Sequence, residues 1–166
     1  GFDKGDFGTP ERDQQAGIDA EREFSRLTEA CQSVGRESWG YRKDEDYYTD
    51  RHLKRSIARY LARDANYLLN IGPRADGTIP QASTDILNRI GEWYHAVKEA
   101  YIGTEPASNL TRNKDILLTR KGNSLYVHLV NDPQSTGVKL DPIRAAPVSA
   151  TLLNTGEPVD YTVDLL

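Results

Sequence analysis

Two carboxylates and one indole stand out near the start of this 166-residue chain. Glu11 closes "DFGTPE", Glu29 sits within "LTEACQS", and Trp39 opens the charged stretch "SWGYRKDEDYYTD". A carboxyl group in a pocket that raises its pKa can give and take a proton, which makes either Glu a candidate general acid/base. An aromatic ring on a loop offers a flat apolar face to a ligand. Each residue also has a plain structural reading. Thr9 can cap a helix, with Pro10 in its first turn and Glu11 favoured by the helix dipole. Glu29 alternates with Leu27 and Cys31, so one strand face would hold a carboxylate between two buriable side chains, or Glu29 would lie on an exposed edge. Trp39 would be core. Taken singly, none of the three is specific.

The elements that must position these residues follow from periodicity. In "DRHLKRSIARYLARD" Leu53, Ile57, Tyr60 and Leu61 form one helical stripe, and Thr49 or Asp50 stands where a cap belongs. The intervening Arg and Lys residues read as its solvated face. "NYLLNIG" is a short apolar run, the pattern of a strand buried on both faces of a parallel sheet. "PRADGTIP" is loop chemistry, and a second helix runs through Ile86, Ile90, Trp93 and Val97. Helix, strand, loop and helix over residues 26 to 105 is α/β grammar.

From about residue 106 the period changes. "DILLTR", "SLYVHLV", "VSATLLN" and "VDYTVDL" read as short strands separated by Gly, Pro and Asn turns, so the second half is expected to be all-β, with residues 105 to 109 as a hinge. Neither half reads as complete.

Composition removes several classes of partner. With 21 basic against 25 acidic residues the net charge is −4, which is not the footprint of a nucleic-acid binder. No stretch has the length and apolarity of a membrane span, and the N-terminal residues do not read as a signal peptide. Cys31 is the lone cysteine, and His52, His95 and His128 are far apart, so no metal site or cofactor is expected. A chain that begins with Gly1 and contains no Met reads as a processed or excised form.

The order of the motifs carries more than any one of them. "DFGTPE", "TEACQSVGRESWGY", "NYLLNIGPRADGTIP", "LNRIGEWYHAVKEAYIGT" and "LLTRKGNSLYV" together resemble the C-terminal part of the α-L-fucosidases of glycoside hydrolase family 29, over essentially all 166 residues. The resemblance implies α/β followed by all-β: the C-terminal portion of a (β/α)₈ barrel over residues 1–105, joined to a β-sandwich over 106–166. It implies that Glu11 or Glu29 is the acid/base of a retaining mechanism acting on a fucosylated glycan or glycoside, with Trp39 against the sugar. The partner nucleophile, about 5 Å away in retaining enzymes, would be an Asp from an earlier strand, supplied by an N-terminal barrel segment or a companion chain. A noncatalytic glycan-binding or structural remnant is the rival reading. The sequence departs from the family pattern where Thr28 precedes Glu29 in place of Trp, and where Asp64, Ala65 and Lys98 stand for glycines. The replaced glycines are expected at turns with positive φ.

Overall fold

The computed structural model describes residues 5–12, 24, 26–132, 135–143 and 145–163. Strand β1 spans Glu29–Ser33, helix α1 Asp50–Leu61, strand β2 Asn66–Asn70 and helix α2 Gln81–Val97. The two strands pair in parallel with Glu29 opposite Asn66 and Ser33 opposite Asn70, so β1–α1–β2 is a βαβ unit. Thr49 caps α1 by accepting the His52 N–H at 3.2 Å.

Both helices pack on one face of the strands. Leu53 and Ile57 of α1 and Ile86 and Ile90 of α2 form a core with Val34, against which Tyr67 and Leu69 lie. Tyr60 and Ala65 pack on Ala30, which is 0% exposed. The opposite face is uncovered among the described residues: Leu68 is 43% and Leu27 74% exposed. One expectation is corrected here. β2 is buried on one face rather than two, because the helices cover only one. The buried face of β1 carries Thr28, Ala30 and Gln32, so of the two readings open for Glu29 the one outside the helix-covered core holds.

The turn between α1 and β2 accounts for Asp64. Asp64 has φ 61, and its N–H meets the Leu61 carbonyl at 3.2 Å while the Ala65 N–H meets that of Tyr60 at 3.1 Å. This is a Schellman closure with a left-handed residue at the position glycine normally fills. Asp tolerates that conformation better than most residues. The expectation fails at Ala65 and at Lys98, whose φ is −58 as in an ordinary helical turn.

After α2, a 3₁₀ turn at Lys98–Ala100 leads to an antiparallel sheet of β3 (Glu105–Pro106), β4 (Ile116–Lys121) and β5 (Ser124–Leu129). Residues 105 and 106 therefore belong to the sheet rather than to a free hinge. The later runs expected as strands are not strands among the described residues. Residues 150–152 face 157–159 through the Thr151–Pro158 bridge, with the Leu152 N–H on the Glu157 carbonyl at 2.8 Å and the Val159 N–H on the Ala150 carbonyl at 2.9 Å, a pairing too short to make a regular ladder, and Val148 is 98% exposed.

The sheet docks on the preceding elements at two places, α1 and the 3₁₀ turn after α2. Ala58 and Ala62 of α1 meet Leu117 and Val130, beside contacts from Arg51 and Arg55 (3.4 Å) to Asp132 and from Arg59 to Asn131 at 3.2 Å. Arg51 and Asp132 stay 59% and 67% exposed, so this face remains solvated as expected, with Arg59 alone making a part-buried contact at its edge. At the second place the Thr119 hydroxyl donates to the Ala100 carbonyl at 2.7 Å. Its oxygen therefore accepts from His128 Nε2–H at 2.9 Å, and the His128 ring stacks on Tyr101 with centroids 4.7 Å apart. Burial lowers the His128 pKa to about 4 and pushes the Tyr101 phenol well up. No helix among the described residues is long and apolar enough to cross a membrane.

Candidate active site

Three parallel segments end on one rim. Residues 8–12 run beside β1: the Gly8 N–H donates to the Leu27 carbonyl at 2.7 Å, the Cys31 N–H to Pro10 at 2.9 Å and the Arg12 N–H to Cys31 at 3.2 Å. The parallel bridges Gly8 to Thr28 and Glu11 to Cys31 keep one register, so the spatial order is 8–12, β1, β2. Thr9-Pro10-Glu11 is thus extended rather than the first turn of a helix, which overturns the capping reading.

Register fixes where the two carboxylates stand. Side chains two apart share a face, and paired residues of parallel strands share it too. Glu11, Glu29, Cys31 and Leu68 therefore belong to the face opposite the helices. Glu11 is level with Cys31 at the C-terminal end of its segment. Glu29 is the first residue of β1, level with Asn66, toward the N-terminal end. Glu11 is exposed and Glu29 half-buried.

Trp39 lies on a loop that is braced rather than free. Just past β1, the Val34 N–H meets the Asn70 carbonyl at 3.0 Å and the Val34 carbonyl takes the Tyr48 N–H at 3.0 Å. Between them Gly35 bridges Tyr47, and Arg36 pairs with Asp46 at 3.5 Å and Arg42 with Glu37 at 3.1 Å. Each exposed pair is worth at most about 1 kcal/mol, so the stronger restraint comes from β2. The Asn70 side-chain amide donates to the Trp39 carbonyl at 2.7 Å and reaches Ser33 Oγ at 3.4 Å. Two residues on, Gly72 lies directly against this loop. A Cβ at Gly72 would stand 2.5 Å from the carbonyl carbon and oxygen of Gly40 and 2.6 Å from the Tyr41 nitrogen. Only glycine permits that approach.

The rim aromatics carry arginine partners. The Arg12 guanidinium lies 4.5 Å from the Trp39 ring centroid and donates to the Arg36 carbonyl at 2.5 Å. Arg12 itself has φ 47, a left-handed conformation that costs a non-glycine residue about 1–2 kcal/mol. The stack and the carbonyl bond help hold it there. Arg74, from the loop after β2, lies 5.6 Å from the centroid of Tyr41. Trp39 is 37% and Tyr41 44% exposed, so neither ring is core.

A family model described as Alpha-L-fucosidase matches residues 1–99. The chain belongs to the alpha-L-fucosidase family. Among relatives, it is 30% identical over 139 residues to the alpha-L-fucosidase of Branchiostoma floridae, covering 80% of this chain and 31% of that protein. It is 30% identical over 144 residues to the tissue alpha-L-fucosidase of Rattus norvegicus, covering 83% of this chain and 31% of that protein. The chain therefore spans about a third of the length of the curated fucosidases it matches. Among solved structures, alpha-L-fucosidase isoenzyme 1 from Paenibacillus thiaminolyticus superposes with a TM-score of 0.77 at 30% identity, over 95% of this chain and 37% of that one. The Thermotoga maritima alpha-fucosidase gives 0.70 at 25%, over 96% and 37%. These relatives are glycoside hydrolases.

Within this family member, the structure brings Glu11 and Trp39 to one rim, linked through Arg12, and sets Glu29 farther down the same sheet face. Sequence reading alone missed Arg12, Asn70, Gly72 and Arg74 as parts of the rim. Arg12 follows Glu11 directly, and Asn70 and Gly72 lie in "NYLLNIGP". Their partners are about thirty residues away in sequence, so no local pattern exposes the contacts.

Proposed function

We propose that the chain forms the C-terminal part of a (β/α)₈ fucosidase barrel, residues 1–105, joined to a β-sandwich domain, residues 106–166. The complete enzyme releases terminal α-linked L-fucose from glycans with retention. Glu11 serves as the acid/base, Trp39 offers its face to the C–H groups and 6-methyl of the sugar, and an Asp nucleophile comes from an N-terminal barrel segment or a companion chain. The observation that carries this reading is the order 8–12, β1, β2 in parallel, with Glu11 and the Trp39 loop at the C-terminal end. Barrel enzymes build their sites at that end. The same geometry favours Glu11 over Glu29, which stands toward the opposite end.

The acid/base must protonate the leaving oxygen and then deprotonate water, so its loss stalls the second step. In the full-length enzyme, azide is expected to rescue turnover of an aryl fucoside by Glu11→Ala, because the small anion replaces activated water. Rescue of Glu29→Ala alone would transfer the role to Glu29.

A further inference from the structure

We propose that Tyr41, backed by Arg74, is the platform for the leaving-group sugar, the neutral pyranose to which the fucose is attached; this rests on the fucosidase reading above. Tyr41 follows Trp39 by two residues on the braced loop, yet it contributes to no core and stays 44% exposed. The Arg74 guanidinium covers part of it at 5.6 Å. Arg74 is itself fixed: its Nη1 donates to Thr78 Oγ1 and to the Ile79 carbonyl, each at 3.3 Å, and its backbone N–H donates to the Thr78 carbonyl at 2.8 Å. Asp76 closes that loop by accepting the Thr78 N–H at 3.0 Å and its hydroxyl at 2.7 Å. The Gly72 approach to Gly40 and the Tyr41 nitrogen sets the spacing between the two loops.

The Arg74 guanidinium beside the ring is anchored before any ligand arrives, and the Gly72 contact sets the main chain at Tyr41, so less freedom remains to be lost on binding. The negative face of a phenol ring matches the polarised C–H hydrogens of a pyranose. A guanidinium at its side donates to sugar hydroxyl or carbonyl oxygens. With Trp39 assigned to the fucose, the neighbouring ring on the same loop is placed for the next sugar.

The test compares two substrates in the full-length enzyme: α-L-fucosyl fluoride, which has no leaving sugar, and a fucosylated disaccharide. The quantity read is the ratio of kcat/KM for the disaccharide to that for the fluoride. This ratio does not depend on how much of a variant folds. Tyr41→Ala is expected to lower it about tenfold, or about 1.4 kcal/mol, through KM for the disaccharide. Arg74→Gln should lower it in the same direction, and Tyr41→Phe should restore it. An unchanged ratio in Tyr41→Ala overturns the platform. Failure of the parent enzyme to hydrolyse either substrate overturns the fucosidase reading itself, and the platform with it.

Discussion

Replacing Gly72 by Ala tests whether the rim is set by backbone contact. The added Cβ would lie 2.5 Å from two atoms of Gly40 and 2.6 Å from the Tyr41 nitrogen, whereas ordinary van der Waals contact begins near 3.4 Å. The obstacle is main chain, which cannot rotate aside, so one of the loops must retreat by roughly 1 Å. Overpacking of this kind costs about 1–3 kcal/mol. A displacement of about 1 Å at reacting groups can cost about a hundredfold in rate. The expected result in the full-length enzyme is a lowered melting temperature and a fall in kcat/KM of at least tenfold. Gly91→Ala is the control, since nothing lies within 4 Å of its Cβ position on α2. Helix propensity makes that change stabilising by about 0.5–1 kcal/mol. If Gly72→Ala matched Gly91→Ala in both activity and stability, backbone contact would not be what holds Trp39 and Tyr41.

Two further outcomes are expected. His128 has an ordinary pKa of 6.5 lowered to about 4 by burial, so the unfolded chain binds this proton as pH falls through 6.5 while the folded chain does not. Stability is complete above pH 6.5 and should fall by about 2 kcal/mol by pH 5. His128→Gln should flatten this dependence in denaturant titrations at pH 7 and 5, and an identical slope in the variant would refute the assignment. Trp39→Ala should weaken binding of fucose-like inhibitors with little change in melting temperature, because a core Trp costs about 3–5 kcal/mol to truncate and this one is 37% exposed. A large fall in melting temperature with unchanged inhibitor affinity would return Trp39 to a packing role.

Periodicity was sufficient for α1 and α2, since Leu53, Ile57, Ile86 and Ile90 occupy one core as their spacing requires. The closing turn at Asp64 was legible too, through the glycine that the family resemblance implies at that position. The buried face of β1 was not. Counting apolar residues selects Leu27 and Cys31, yet the helices settle over Ala30, where Tyr60 can approach. The runs after residue 145 have strand composition, but their pairing among the described residues is confined to 150–152 against 157–159, and composition alone does not set how far a ladder extends. Trp39 was legible as a loop residue from Gly40 and the charges after it. What fixes it was not, because Asn70 and Gly72 act across the sheet on main-chain atoms.

The position of the rim depends on packing well away from it. α1 has three working sides: Leu53 and Ile57 face the α/β core, Ala58 and Ala62 face Leu117 and Val130, and Arg51, Arg55 and Arg59 reach Asp132 and Asn131. Small residues on the second side let the sheet approach closely, and the arginine contacts at its edge add little beyond that packing. α1 then ends in the Schellman turn at Asp64, which sends the chain directly into β2. Because β2 is only five residues long, any shift in that turn passes along the strand to Asn70 and Gly72, whose contacts hold the Trp39 carbonyl and Gly40. The antiparallel sheet therefore helps to set the site geometry without touching it, by anchoring the helix that delivers β2 to the rim.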